Sequence, residues 1–252
     1  MTYCMAIKTK NGLVMASDSR TNAGVDQVNT CRKMHFFIQP GERAFVLLTS
    51  GGLSLGQSVL TLLGEDYAAG WGLAEAKTLY QAARCVGEAV RQVAQLDRAA
   101  LEQDKIPFNL HIILGGQVRG SPPDLFLIYP QGNPLQVTDD VPYLQVGEIK
   151  YGRPILDRGV RFLETSLEEA AKYALLSLDS TMRSNLMVGP PIDLLLYRDG
   201  DLDIRQHCRL MADDPQLTAI RSLWEQELRR TIQMLPAIRF DQGALKGTKI
   251  EP

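Results

Sequence analysis

Two apolar runs joined by Asn11-Gly12 open the chain, and that joint constrains the fold more than any other feature. Asn-Gly is the strongest short-range hairpin signal, because both residues tolerate the positive φ of a tight turn. Thr2 to Thr9 therefore reads as one strand and Leu13 to Arg20 as its antiparallel partner. A hairpin closed in this way returns Asp18 to the end of the sheet where Thr2 lies. Thr2 directly follows Met1. A small second residue permits removal of the initiator methionine, which would leave Thr2 with a free α-amine beside its own hydroxyl. Nucleophile and base would then share one residue.

Further along, Cys31 to Phe37 begins a third strand with Lys33 at its start, and Ala44 to Ser50 makes a fourth that ends in Gly51-Gly52. Helices are expected from Leu53 to Asp66 and from Leu73 to about Gln103, where Leu79, Ala83, Val86, Val90 and Val93 recur at helical spacing. Strands resume at Leu110–Leu114, before Gly115-Gly116, and at Leu125–Tyr129. Ser166-Leu167-Glu168-Glu169 reads as a capping box opening a helix toward Leu178, and Ile192–Tyr197 as a further strand. This pattern by itself specifies α+β.

The N-terminal block resembles the proteasome β-subunit family of N-terminal-nucleophile hydrolases. The matching residues are Thr2, the tract GLVMASDSR at 12–20, the pair Arg32-Lys33 and the step LLTSGG at 47–52. The resemblance extends over nearly the whole chain. It implies a four-layer αββα sandwich, self-assembly into a ring or helical stack, and hydrolysis of peptide or other amide bonds through an acyl-enzyme.

Chemistry and resemblance agree on roles. A threonine hydroxyl needs a base, and an α-amine with an ordinary pKa of about 7.7–8.0 suits neutral pH. An ammonium at Lys33 would favour the neutral amine, and Asp18 is the counter-charge such a lysine needs when buried. The family's catalytic Thr, Asp and Lys fall on Thr2, Asp18 and Lys33, with Lys33 one residue early. Its oxyanion glycine falls on Gly51, as a backbone donor beside the nucleophile. Its supporting Asp falls on Asp179, with Ser180 or Ser184 as the accompanying hydroxyl. The family's substrate-aligning Thr falls on Asn22, with Thr21 beside it. The other family serine falls in Gly147-Glu148-Ile149-Lys150, where no Ser stands.

The chain has 252 residues and a formal net charge of −2, which gives no sign of nucleic acid or an anionic membrane as partner. At that length, roughly three quarters of the unfolded surface can be buried. No apolar run approaches the roughly 20 residues of a membrane span, and no secretory signal precedes Thr2, so a cytoplasmic location is expected. Cys4, Cys31, Cys85 and Cys208 form no C-x-x-C pair and read as reduced thiols. His35, His111 and His207 show no metal-ligand spacing, and no metal or cofactor is expected.

Residues 1–240 read as one hydrolase domain and 241–252 as a polar tail. Asp213-Asp214-Pro215 caps a helix whose apolar positions, Leu217 to Ile232, complete the core or meet a neighbouring subunit. Three functions fit: a self-assembling threonine peptidase, a narrow small-amide hydrolase of the same mechanism, and a non-catalytic scaffold. The set Thr2, Asp18 and Lys33 favours the first, since a scaffold needs none of them. An unfolding ATPase partner is not specified by the sequence.

Overall fold

The computed structural model describes residues 2–23 and 27–240. The predicted hairpin forms from β1 (Tyr3–Thr9) and β2 (Gly12–Asp18), but its two turn residues are Lys10-Asn11 rather than Asn11-Gly12: Gly12 already belongs to β2, opposite Thr9, and Cys4 lies opposite Ser17. A short ribbon follows, β3 (Arg20–Ala23) and β4 (Gln27–Thr30), then a second hairpin, β5 (Met34–Gln39) and β6 (Arg43–Gly51). Two helices, α1 (Leu53–Ala68) and α2 (Leu79–Gln103), lead to the strands β7 (Leu110–Val118), β8 (Asp124–Ile128), β9 (Pro134–Gln136) and β10 (Tyr143–Gly147). The chain continues through α3 (Arg153–Gly159), α4 (Leu167–Ser184), β11 (Ile192–Arg198), β12 (Gln206–Leu210) and α5 (Pro215–Met234).

Two five-stranded sheets result, ordered β10-β1-β2-β11-β12 and β5-β6-β7-β8-β9. They stack face to face. Ala6, Leu13, Met15 and Leu195 of the first meet Val46, Leu48, Ile113 and Leu125 of the second in a buried cluster. The outer face of the second sheet carries Phe45, Leu47, Ile112 and Leu114, covered by Val59 and Leu63 of α1 and by Val86 and Val90 of α2. On the other side, Tyr3, Met5, Ile7, Val14 and Ala16 are covered by Ala170, Ala174 and Leu178 of α4. The architecture is therefore the α+β four-layer αββα sandwich. Covering both faces of each sheet explains why β1, β2 and β6 read as unbroken apolar runs rather than as alternating ones.

Boundaries differ from expectation where tertiary packing decides. The helix expected from Leu73 starts at Leu79, because Thr78 caps it by accepting the Gln81 N–H (3.1 Å), while Gly72–Ala74 forms a separate 3-10 turn. The strand expected to stop at Leu114 runs on to Val118. Its Gly115 lies where a Cβ would press on Met15 and Leu125, so the glycine admits the facing sheet rather than ending the strand. The strand beginning near Lys33 starts one residue later, at Met34. The polar tail 241–252 lies outside the described residues. No helix among the described residues is long and apolar enough to cross a membrane.

The α4 helix opens with the predicted capping box between Ser166 and Glu169. It is joined to β1 by the buried Tyr3 hydroxyl, which lies 2.7 Å from Ser177 Oγ and accepts from Gln145 Nε2. Burial pushes the Tyr3 phenol up to about 12, above its ordinary value of 10.0. A phenol with a raised folded pKa contributes stability that is complete below its unfolded pKa and is lost as pH rises through the folded one. Tyr3→Phe is therefore expected to cost about 1–3 kcal/mol in urea unfolding at neutral pH. The gap between variant and wild type should narrow as pH rises above 10.

Candidate active site

The hairpin brings Asp18 to Thr2, and what holds it there is a buried ion pair. Asp18 is fully buried; its Oδ1 accepts from Lys33 Nζ at 2.6 Å and from the Tyr3 N–H at 3.0 Å. One oxygen thus bridges the Lys33 ammonium to the amide that follows Thr2. The other oxygen accepts from the Gly189 N–H at 3.2 Å. Lys33, itself only 6% exposed, gives a second hydrogen bond to the Arg20 carbonyl at 2.7 Å. Burial pushes the Asp18 carboxyl up from its ordinary value, and the Lys33 ammonium with the two backbone donors opposes that rise.

Thr2, Lys33 and Gly51 line one cleft of about 190 Å³, together with Thr21, Cys31, Arg32, His35, Thr49, Ser50 and Gln57. Gly51 closes β6 at φ +124°, where a Cβ would collide with the Asn109 carbonyl, so only glycine fits. Gly52 N–H donates to the Asn109 carbonyl at 2.8 Å, which makes Gly51–Leu110 a non-hydrogen-bonded pair. The Gly51 N–H therefore faces away from β7, on the side where β5 has not begun and the cleft opens. A backbone donor so placed suits an oxyanion.

The end of β10 completes the surroundings of Thr2. Gly147 pairs with Tyr3 and has φ +89°, and a Cβ there would strike the Thr2 carbonyl. The next N–H, that of Glu148, donates to that carbonyl at 2.8 Å. Glu148, Ser50 and the Gly189 amide are neighbours of the site that sequence patterns did not single out as functional. For Glu148 the sequence signal was that the family's other serine falls in the stretch 147–150, where no Ser stands; Gly189 offered only its place in a glycine-containing segment before a strand.

The remaining expected residues divide. Thr21 lies in β3 on the cleft wall. Asn22 sits beside it in β3, paired with Val28, and its side chain lies outside the described residues. Met1 lies outside them too. Asp179 is buried on α4, where its carboxylate accepts from Arg221 Nε of α5 at 2.6 Å. Among the described residues no hydrogen bond joins Asp179, Ser180 or Ser184 to Thr2, and Ser184 is exposed. Likewise, no group of three or more His, Cys, Asp or Glu residues among the described residues could hold a metal.

Neither a protein-family model nor a curated protein matches the chain. Solved structures do. The helical assembly of the Anbu complex from Pseudomonas aeruginosa is 44% identical over 96% of this chain and 100% of its own, with a TM-score of 0.90. Anbu, the ancestral beta-subunit, from Yersinia bercovieri is 42% identical over 95% and 99%, with a TM-score of 0.89. Anbu from Hyphomicrobium sp. strain MC1 is 42% identical over 95% and 100%, with a TM-score of 0.86.

Removing one member of a buried ion pair leaves the other charge uncompensated. Lys33→Met is expected to cost about 3–5 kcal/mol in equilibrium unfolding, with Asp18 stranded in the core. The double variant Asp18→Asn/Lys33→Met should cost far less than the sum of the single changes, since no lone charge remains.

Proposed function

Because the chain belongs to the Anbu family of proteasome-β-like proteins, we propose that it is a self-assembling threonine hydrolase cleaving peptide or amide bonds through an acyl-enzyme on Thr2. The observation that carries this reading is the Asp18 oxygen shared by Lys33 and the backbone next to Thr2, at a cleft that also exposes the Gly51 N–H. A solvated lysine and a turn aspartate would have no reason to be buried together there.

With Met1 removed, the Thr2 α-amine takes the proton of its own hydroxyl as the oxygen attacks the substrate carbonyl. Lys33, fixed by Asp18 and the Arg20 carbonyl, supplies a positive charge that stabilises the alkoxide and disfavours an already protonated amine. The tetrahedral oxygen receives the Gly51 N–H. Collapse releases the substrate amine, which takes the proton from the Thr2 ammonium, and water then hydrolyses the ester by the same steps in reverse. Thr21 and the neighbouring backbone of β3 form the wall along which an extended substrate aligns. Asp179 acts at one remove, through the Arg221 contact that docks α5 on α4.

Residues 1–240 serve as the working unit, and copies associate as the Pseudomonas aeruginosa complex does in its helical assembly. The exposed Leu223, Trp224, Leu228 and Ile232 of α5 fit that role, since only Leu217 of this helix is buried.

Intact mass after exposure to an electrophilic peptide probe tests the reading. The expected result is a chain lacking Met1 and carrying one adduct, which disappears in Thr2→Ala. Retention of Met1 with no adduct would overturn the hydrolase in favour of a scaffold.

A further inference from the structure

Glu148 is an acid out of place unless a cation reaches it. Its side chain is only 6% exposed, and its carboxylate accepts one hydrogen bond from a neutral group, Asn185 Nδ2, at 3.0 Å. Of the charges nearby, Lys33 is paired with Asp18, Arg221 with Asp179 and Arg183 with Glu225, and Arg20 donates to the Leu186 carbonyl, while Lys150 and, on the cleft wall, Arg32 are exposed. Among the described residues no Lys, Arg or His forms an ion pair with Glu148. A buried carboxylate without a counter-charge is expensive, so such residues are rare unless a partner completes them.

The register names the missing cation. Tyr3 pairs with Gly147, and the Glu148 N–H donates to the Thr2 carbonyl. That bond, 2.8 Å long, sets Glu148 beside Thr2 at the end of the β1–β10 ladder. The hydrogen bond from Asn185 ties Glu148 to the segment 185–189, whose Gly189 N–H also holds Asp18. Glu148 and the Asp18–Lys33 pair therefore flank Thr2 from two sides.

We infer that Glu148 is a positioning residue whose carboxylate is the counter-charge of the Thr2 α-ammonium. This rests on the threonine-hydrolase reading for its catalytic consequence, but the electrostatic contact itself does not. The carboxylate orients the amine toward the Thr2 hydroxyl and stabilises the ammonium formed when the hydroxyl proton transfers. It also raises the amine pKa, opposing Lys33, so that the free-base fraction grows in at higher pH than Lys33 alone would set. Lys33 and Glu148 together set the pH at which this base works.

The test uses full-length chain released from a cleavable fusion with Thr2 as its first residue, so that natural removal of Met1 is not needed. The rate of α-amine acetylation by acetic anhydride, read from the mass of the N-terminal peptide across pH, gives the amine's titration midpoint. In Glu148→Gln the midpoint should fall by about one pH unit, a tenfold change in the ratio of ammonium to free amine. Glu148→Asp, which keeps the charge, should recover most of the shift, and Glu148→Ser serves if the Gln variant does not fold. The acid limb of probe labelling should move down by the same amount. Equal midpoints in wild type and Glu148→Gln would overturn the inference. A shifted midpoint in a wild-type chain that forms no probe adduct would leave it standing and remove the hydrolase reading.

Discussion

A carboxylate wholly removed from water organises this end of the molecule. Asp18 is tolerable in its position only because Lys33, the Tyr3 amide and the Gly189 amide converge on its two oxygens. Those three partners come from the segment entering β5, from the start of β1 and from the segment after α4. Satisfying one charge thus fixes three separate parts of the chain against each other. The same convergence places an ammonium on the cleft that Thr2 lines. Stability and reactivity draw on one set of bonds: the pair costs desolvation, and the backbone donors that offset this cost are the ones that hold the nucleophile's neighbours still.

The sandwich around it serves mainly to present this end. Both sheets are apolar on both faces, so each strand's register is held by packing from two sides and a slip would move every side chain to the wrong face. Gly51 and Gly147 sit at strand ends with positive φ, and both let backbone approach backbone where a Cβ would collide. One turns an N–H toward the cleft, and the other lets Glu148 reach the Thr2 carbonyl.

Much of this was legible in the sequence for local reasons. Asn11-Gly12 marks the hairpin that carries Asp18 back to Thr2, although the turn closes one residue earlier, at Lys10-Asn11; the capping box at Ser166 and the cap at Asp214 mark helix starts that the structure shows. What could not be read depended on distant contacts. β10 has no strong alternation of its own, yet it is the strand that pairs with β1 and delivers Glu148. Gly115-Gly116 looks like a strand end until the facing sheet is present. The partner of Asp179 is Arg221, 42 residues away on α5, and no pattern near Asp179 points there. The apolar stripe of α5 was equally compatible with core and interface. Only packing distinguishes them, and it leaves Leu223, Leu228 and Ile232 uncovered in the single chain.

The central claim is that Thr2 and the Gly51 N–H act on the same carbonyl. A crystal structure of the Met1-free protein reacted with a peptide aldehyde tests it most directly. The account predicts a covalent bond from Thr2 Oγ1 to the aldehyde carbon, with the resulting oxygen about 2.7–3.1 Å from the Gly51 nitrogen. A bond to any other residue, or an oxygen turned away from Gly51, would contradict it.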